Sequence, residues 1–261
     1  MISIIINDGR DANAAGRQTA RLSSFLNTPP IFIGVANDLE AAGNLVDALD
    51  AVQGRPAIIL VNVAPRHGRA KKWGNGSPFS YFWYKKTLVV ATIDGVTLSL
   101  AKKLHLTDDL SILNVPHVLE ILAKRKFLSK GRAHLIEASQ FRSYEFLPRV
   151  AAYLFTKGDL SGEKLLVENI EDAPAAVWMI DNFGNCKTTL FPQDVAFTPR
   201  SFIKTKIGKL ECFSQLKDVP DGKAGLVVGS SGLGKRRFVE IVVQGRSAAE
   251  RFKLFSGYCI F

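Results

Sequence analysis

The residues whose types best suit recognition chemistry are Asp181-Asn182-Phe183-Gly184-Asn185. This stretch offers a carboxylate acceptor, an aromatic face, a glycine that lets backbone approach a ligand, and an amide that both donates and accepts. A purine nucleoside asks for such groups: acceptors for ribose hydroxyls, a ring to stack on, an amide for the base edge. The flanks, Val177–Ile180 and Lys187–Leu190, read as two paired strands. The same five residues therefore also make an ordinary hairpin turn.

Three further stretches carry polar chemistry. Gly229-Ser230-Ser231-Gly232 ends a predicted strand in small residues whose N–H groups could meet a carboxylate. Asn7-Asp8-Gly9-Arg10 follows an opening β-branched run, so Asp8 falls at a strand end, where ligands collect in open α/β folds. Arg66, Arg69, Lys71 and Lys72 cluster beside Trp73, with Tyr81-Phe82-Trp83-Tyr84-Lys85-Lys86 after them. Basic residues interleaved with aromatics suit nucleic acid or nucleotide phosphate; a solvated loop followed by an edge strand has the same composition. His67 in that loop is either a general base or an exposed loop histidine.

Asp181-x-Phe183-Gly184-Asn185-x-x-Thr188 resembles the signature of the S-adenosylmethionine (SAM) hydroxide adenosyltransferases, relatives of the fluorinating and chlorinating enzymes. Gly229-Ser230-Ser231-Gly232, Val239–Gly245 and Ser247-Ala248-Ala249-Glu250-Arg251 resemble that family's C-terminal run, with Gln244 where an Asn is common. The resemblance implies a reaction of SAM with water to adenosine and methionine by attack at the ribose 5′ carbon. It implies no cofactor, and a site between subunits of a homotrimer. It also implies ligand-binding roles for Asp8, Asp181, Phe183, Asn185, Ser230, Ser231 and Gln244.

The catalytic positions depart from the family pattern. Ala64 stands at a family Asp, with Pro65 and Gly68 kept and Lys71 where an Arg falls. Phe141, Phe146, Pro148 and Ala151-Ala152 keep a second motif, but Arg142 occupies its His. A methyl group orients no water, and a guanidinium cannot serve as a base near neutral pH. Lys71, Arg142 and His67 are thus the candidates left for catalysis. Two other readings stand beside the enzyme: a non-catalytic adenosyl or nucleotide binder, and a nucleic-acid binder acting through residues 66–72. An Asp94-Gly95 turn keeps the form of a further family motif with altered chemistry.

Elements must position these residues. Ile2–Ile6, Ile31–Val35, Pro56–Val63 and Thr87–Ile93 read as strands. Helical stretches at Ala12–Phe25, Leu39–Val52 (capped by Asp38), Val96–Lys103 and Val115–Lys126 alternate with them. That rhythm predicts an α/β domain over residues 1–157 with a mostly parallel sheet and flanking helices. A linker is expected over 158–174, followed by an all-β domain over 175–261, a small barrel or sandwich of short strands between Gly and Pro turns. The 261 residues are 47% hydrophobic, enough to bury a core, and the formal charge of +10 suits either an anionic partner or a solvated basic surface. Three cysteines without metal-ligand spacing, and an opening apolar run too short for a signal peptide, lead us to expect a cytoplasmic protein with reduced thiols. No apolar run reaches the length of a membrane span. Lys235-Arg236-Arg237 reads either as an anion-welcoming insertion or as a charged hairpin tip.

Overall fold

The computed structural model describes residues 1–64, 77–160 and 162–261. Lys71 and His67, with Arg66, Arg69, Lys72 and Trp73 of the basic stretch, lie outside the described residues. The chain divides into two compact units, Met1–Glu171 and Asp172–Phe261.

In the first unit, β1 (Ile2–Asn7) leads into α1 (Ala12–Leu26). The Asp11 side chain caps α1 by accepting from the Ala14 N–H, and left-handed Asn27 ends it ahead of Pro29-Pro30. Next come β2 (Ile31–Gly34), α2 (Asp38–Val52) and β3 (Ala57–Asn62). Asn37, not Asp38, caps α2: its side chain accepts from the Glu40 N–H at 2.9 Å. Asp38 instead reaches across to accept from the Val96 N–H at 3.0 Å, tying α2 to a later loop.

A tight hairpin follows, β4 (Phe79–Tyr84) and β5 (Thr87–Thr92), turned by left-handed Lys85. Then come α3 (Ser99–Lys103), shorter than the helix expected from Val96, β6 (Asp109–Leu113) and α4 (Val115–Lys124). Helices α5 (Lys130–Glu137), α6 (Arg142–Glu145) and α7 (Leu147–Lys157), which sequence periodicity did not mark, lead to β7 (Lys164–Leu166).

The seven-stranded sheet runs β2-β1-β3-β5-β4-β6-β7. The first four strands are parallel, as the strand–helix rhythm predicts; the last three join antiparallel. Alternate side chains feed opposite faces. Ile5, Ile58, Leu60, Leu88 and Val90 join the core under α1, α4 and α7. Ile4, Ile6, Ile59 and Val89 are equally buried on the other face, where α2 packs on β1 and β3. A parallel sheet covered on both faces needs such apolar runs.

Two expectations change here. β4 is an interior strand between β5 and β6, not an edge: Tyr81 and Phe82 are buried, and of this aromatic run Trp83 is exposed, stacked on Phe155. Tyr81 and Phe82 are core, which removes those two rings from any nucleic-acid platform. The expected linker contains β7, which pairs with β6 and is clamped by a Lys164–Asp109 ion pair of 2.8 Å.

In the second unit β8 (Val177–Ile180) and β9 (Cys186–Thr188) form the first hairpin, β10 (Phe202–Thr205) and β11 (Gly208–Cys212) the second, and β12 (Ala224–Leu233) and β13 (Arg236–Val243) the third. Helix α8 (Ala248–Phe252) follows. The strands make one six-stranded sheet in the order β10-β11-β12-β13-β9-β8, mixed because β11 and β12 are parallel. Val177, Leu226, Val239 and Ile241 fill one core, and Phe191 stacks on Phe238 with ring centroids 4.8 Å apart. The fold is thus α/β in two units, each built on a mixed sheet. Among the described residues no helix is long and apolar enough to cross a membrane. Cys186 and Cys212 are buried free thiols, and Cys259 is an exposed one.

Candidate functional site

The Asp181–Asn185 turn is built by its own aspartate. Asp181 Oδ1 accepts from the Phe183 and Asn185 N–H groups, both at 2.9 Å, and Oδ2 accepts from Asn185 Nδ2 at 3.1 Å. The carboxylate proposed for a ribose is therefore already holding the loop that carries Phe183 and Asn185. Gly184 adopts φ +81 and lies so close to Ser247 that a Cβ there would fall 2.7 Å from the Ser247 Cα. Its carbonyl accepts from the Ala249 N–H at 3.0 Å, pinning the turn to the start of α8.

That docking forms a cavity of about 590 Å³, within the range of small-molecule sites. Phe183, Asn185 and Gln244 line it, with Leu216, Arg246 and Ser247 completing much of the wall. Phe183 is 73% exposed, an unusual state for a large aromatic ring. The Asp181 bond orients the Asn185 amide, fixing which of its polar atoms remain for a ligand. Sequence reasoning found three of these residues. It missed Leu216, which comes from a separate segment, and Arg246, which falls between the two C-terminal motif runs; Ser247 opens the second of those runs but was given no ligand role.

Ser230 and Ser231 stand elsewhere on the sheet. They belong to a bulged part of β12 between Val228 and Gly232, opposite the start of β13. Ser231 is buried and its Oγ lies 2.6 Å from Lys187 Nζ; the Ser230 carbonyl accepts from Arg237 Nη1 at 2.8 Å. Arg236 and Val243 bound the eight-residue β13, a span of about 23 Å at the usual strand rise. Lys235 lies in the turn of the β12–β13 hairpin, with Arg236 and Arg237 opening β13. It is therefore a charged hairpin tip at the far end of β13 from Gln244.

In the first unit, the carboxyl ends of β1, β3 and β5 gather a second polar group. Asp8 Oδ2 accepts from the Ala64 N–H at 3.2 Å. Asn7 is buried, donating to Gln18 Oε1 at 2.8 Å while its own Oδ1 accepts from the Gly9 N–H. Thr92 Oγ1 accepts from the Val63 N–H at 3.3 Å. Buried Asp94 accepts from Ser77 Oγ and from the Gly95 N–H, both at 3.2 Å.

Arg142 donates to the Ser77 carbonyl at 3.1 Å and lies over the Phe79 ring at 5.6 Å. Burial lowers its pKa from the ordinary value, yet a guanidinium so placed remains a cation. Its role here is to fasten Ser77 beside Asp94. The remaining described histidines are on other segments: His105 after α3, His117 in α4 and His134 in α5. Among the described residues no cluster of His, Cys, Asp and Glu could hold a metal ion.

No protein-family model and no curated protein matches the sequence. Solved structures do. An uncharacterized conserved protein from Thermotoga maritima matches over 99% of this chain and 98% of its own, with TM-score 0.66 and 17% identity. A conserved hypothetical protein from Thermus thermophilus matches over 100% of this chain and 99% of its own, with TM-score 0.61 and 19% identity. At these identities the likeness is one of fold, and along its whole length this chain has the α/β two-unit fold of those two proteins.

Proposed function

We propose that this protein binds an adenosyl compound, with the purine in the cavity beside Phe183. The observation that carries this reading is the convergence of Phe183, Asn185 and Gln244 on one cavity. An exposed ring supplies a stacking face, and two amides supply donors and acceptors for a base edge. The resemblance to SAM hydroxide adenosyltransferases makes SAM the first ligand to try. It also implies a homotrimer in which the Asp8 strand end of one protomer completes the site of another, and a barrel-like curl of the second sheet.

Hydrolysis is the weaker part of that reading. The family's water-activating Asp is Ala64, and its His is Arg142, whose guanidinium is engaged with Ser77. Asp8 and Asp94, the strand-end carboxylates, both accept hydrogen bonds from backbone N–H groups. We therefore favour a binding protein over a hydrolase. Any turnover would rest on positioning the sulfonium leaving group and desolvating a nucleophile.

The test is calorimetry with SAM and adenosine, run beside incubation with labelled SAM. Saturable binding without adenosine or methionine release is the expected result. Release of both products restores the enzyme, and no binding of either compound removes the assignment.

A further inference from the structure

We propose that the Phe183 cavity selects an adenosine bearing an anionic 5′ group, of the nucleoside monophosphate class, over the sulfonium cation of SAM; this rests on the adenosyl reading above. The charge around the cavity motivates it. Arg246 lines the wall and is exposed, and among the described residues its guanidinium has no protein partner. The Gln244 side-chain amide, on the same wall, is likewise without one. No Asp or Glu of the described residues lines the cavity. Asp181 adjoins it through Asn185, but both its oxygens already accept from the turn. Glu250 is exposed one helical turn beyond Ser247, which caps it from below, and it is not part of the wall.

The cavity therefore offers one uncompensated cation and amide donors. A phosphate meets a guanidinium through paired, charge-assisted hydrogen bonds. A sulfonium in the same place finds a like charge and no carboxylate to offset it. The chain's +10 charge adds a long-range field in the same direction. At about 590 Å³ the cavity has room for a phosphate beside a purine nucleoside.

The experiment is calorimetry on the full-length protein with adenosine, adenosine 5′-monophosphate and SAM, at low and high salt. The monophosphate is expected to bind about tenfold or more tighter than adenosine, the scale of a charge-assisted contact. That ratio should shrink as salt rises and vanish in Arg246→Gln. Equal affinity for adenosine and its monophosphate, or tighter binding of SAM than of the monophosphate, overturns the inference and leaves the adenosyl reading in place. Failure of all three compounds to bind overturns both.

Discussion

Two glycines beside the cavity have nearly the same backbone conformation and different surroundings, which makes them a matched test. Gly184 has φ +81 and Gly245 has φ +72. A Cβ on Gly245 would meet nothing within 4 Å, whereas one on Gly184 would fall 2.5 Å from the Ser247 Cβ and 2.7 Å from its Cα. Gly245→Ala should therefore cost only left-handed strain, about 1–2 kcal/mol. Gly184→Ala bears that strain and must also part the turn from Ser247, stretching the 3.0 Å bond from the Ala249 N–H to the Gly184 carbonyl. Overpacking against backbone adds about 1–3 kcal/mol and the hydrogen bond about 1, for about 3–6 kcal/mol in all. For a unit of this size the melting midpoint should fall by more than about 12 °C, at least twice the effect of Gly245→Ala. Differential scanning calorimetry measures both, and ligand titration should show the Gly184 variant losing the cavity. Equal losses in the two variants would show that the turn is not held by its approach to Ser247.

Other outcomes follow from single side chains. Phe183→Ala should leave stability within about 0.5 kcal/mol, since the ring is exposed, yet weaken adenosyl binding by about 1–3 kcal/mol if a base stacks there. Burial, and then its hydrogen bond to Asp159, push the Tyr81 hydroxyl from its ordinary 10.0 up to about 12. Because the folded value is the higher one, this stabilisation is complete below pH 10 and is lost as pH rises toward 12. Alkaline unfolding curves should show that dependence in the native protein and its loss in Tyr81→Phe. Burial, reinforced by Asp181 and Glu240, raises the Cys186 thiol to about 12. A thiol reagent near pH 8 should therefore label Cys259 in the folded protein, and all three cysteines after denaturation; rapid native labelling of Cys186 would contradict its burial.

Elements set by local rules were legible in the sequence. The β-branched run of β1, the Pro29-Pro30 stop and the alternation of α1, α2 and the first strands all follow from periodicity and capping. The aromatic run Tyr81–Tyr84 was ambiguous because composition cannot distinguish an interior strand from an edge; pairing with β5 and β6 decides it. The acid-rich stretch before Pro174 resembles a linker, and only its distant partner β6 makes part of it a strand. The site divides in the same way. Phe183 and Asn185 could be found by type, and Gln244 through the resemblance of its run to a family motif. Asp181 was found by type, but its carboxylate serves the turn. Ser230 and Ser231 share a motif with the others, yet the β12 bulge and the length of β13 carry them away from the cavity. Arg246 and Leu216 become neighbours of Phe183 only once the chain has folded.

The place of β7 bears on how the protein is made. β6 has β4 on one side, and its other side stays an open row of N–H and C=O groups until Lys164–Leu166 arrives. On the ribosome, α4 through α7 are synthesised during that wait, so a nascent chain carries a bare sheet margin for seconds. A translational pause within that interval would lengthen the exposure and favour self-association of unfinished chains. Synonymous codons there would thus alter the yield of native protein without changing one residue of it.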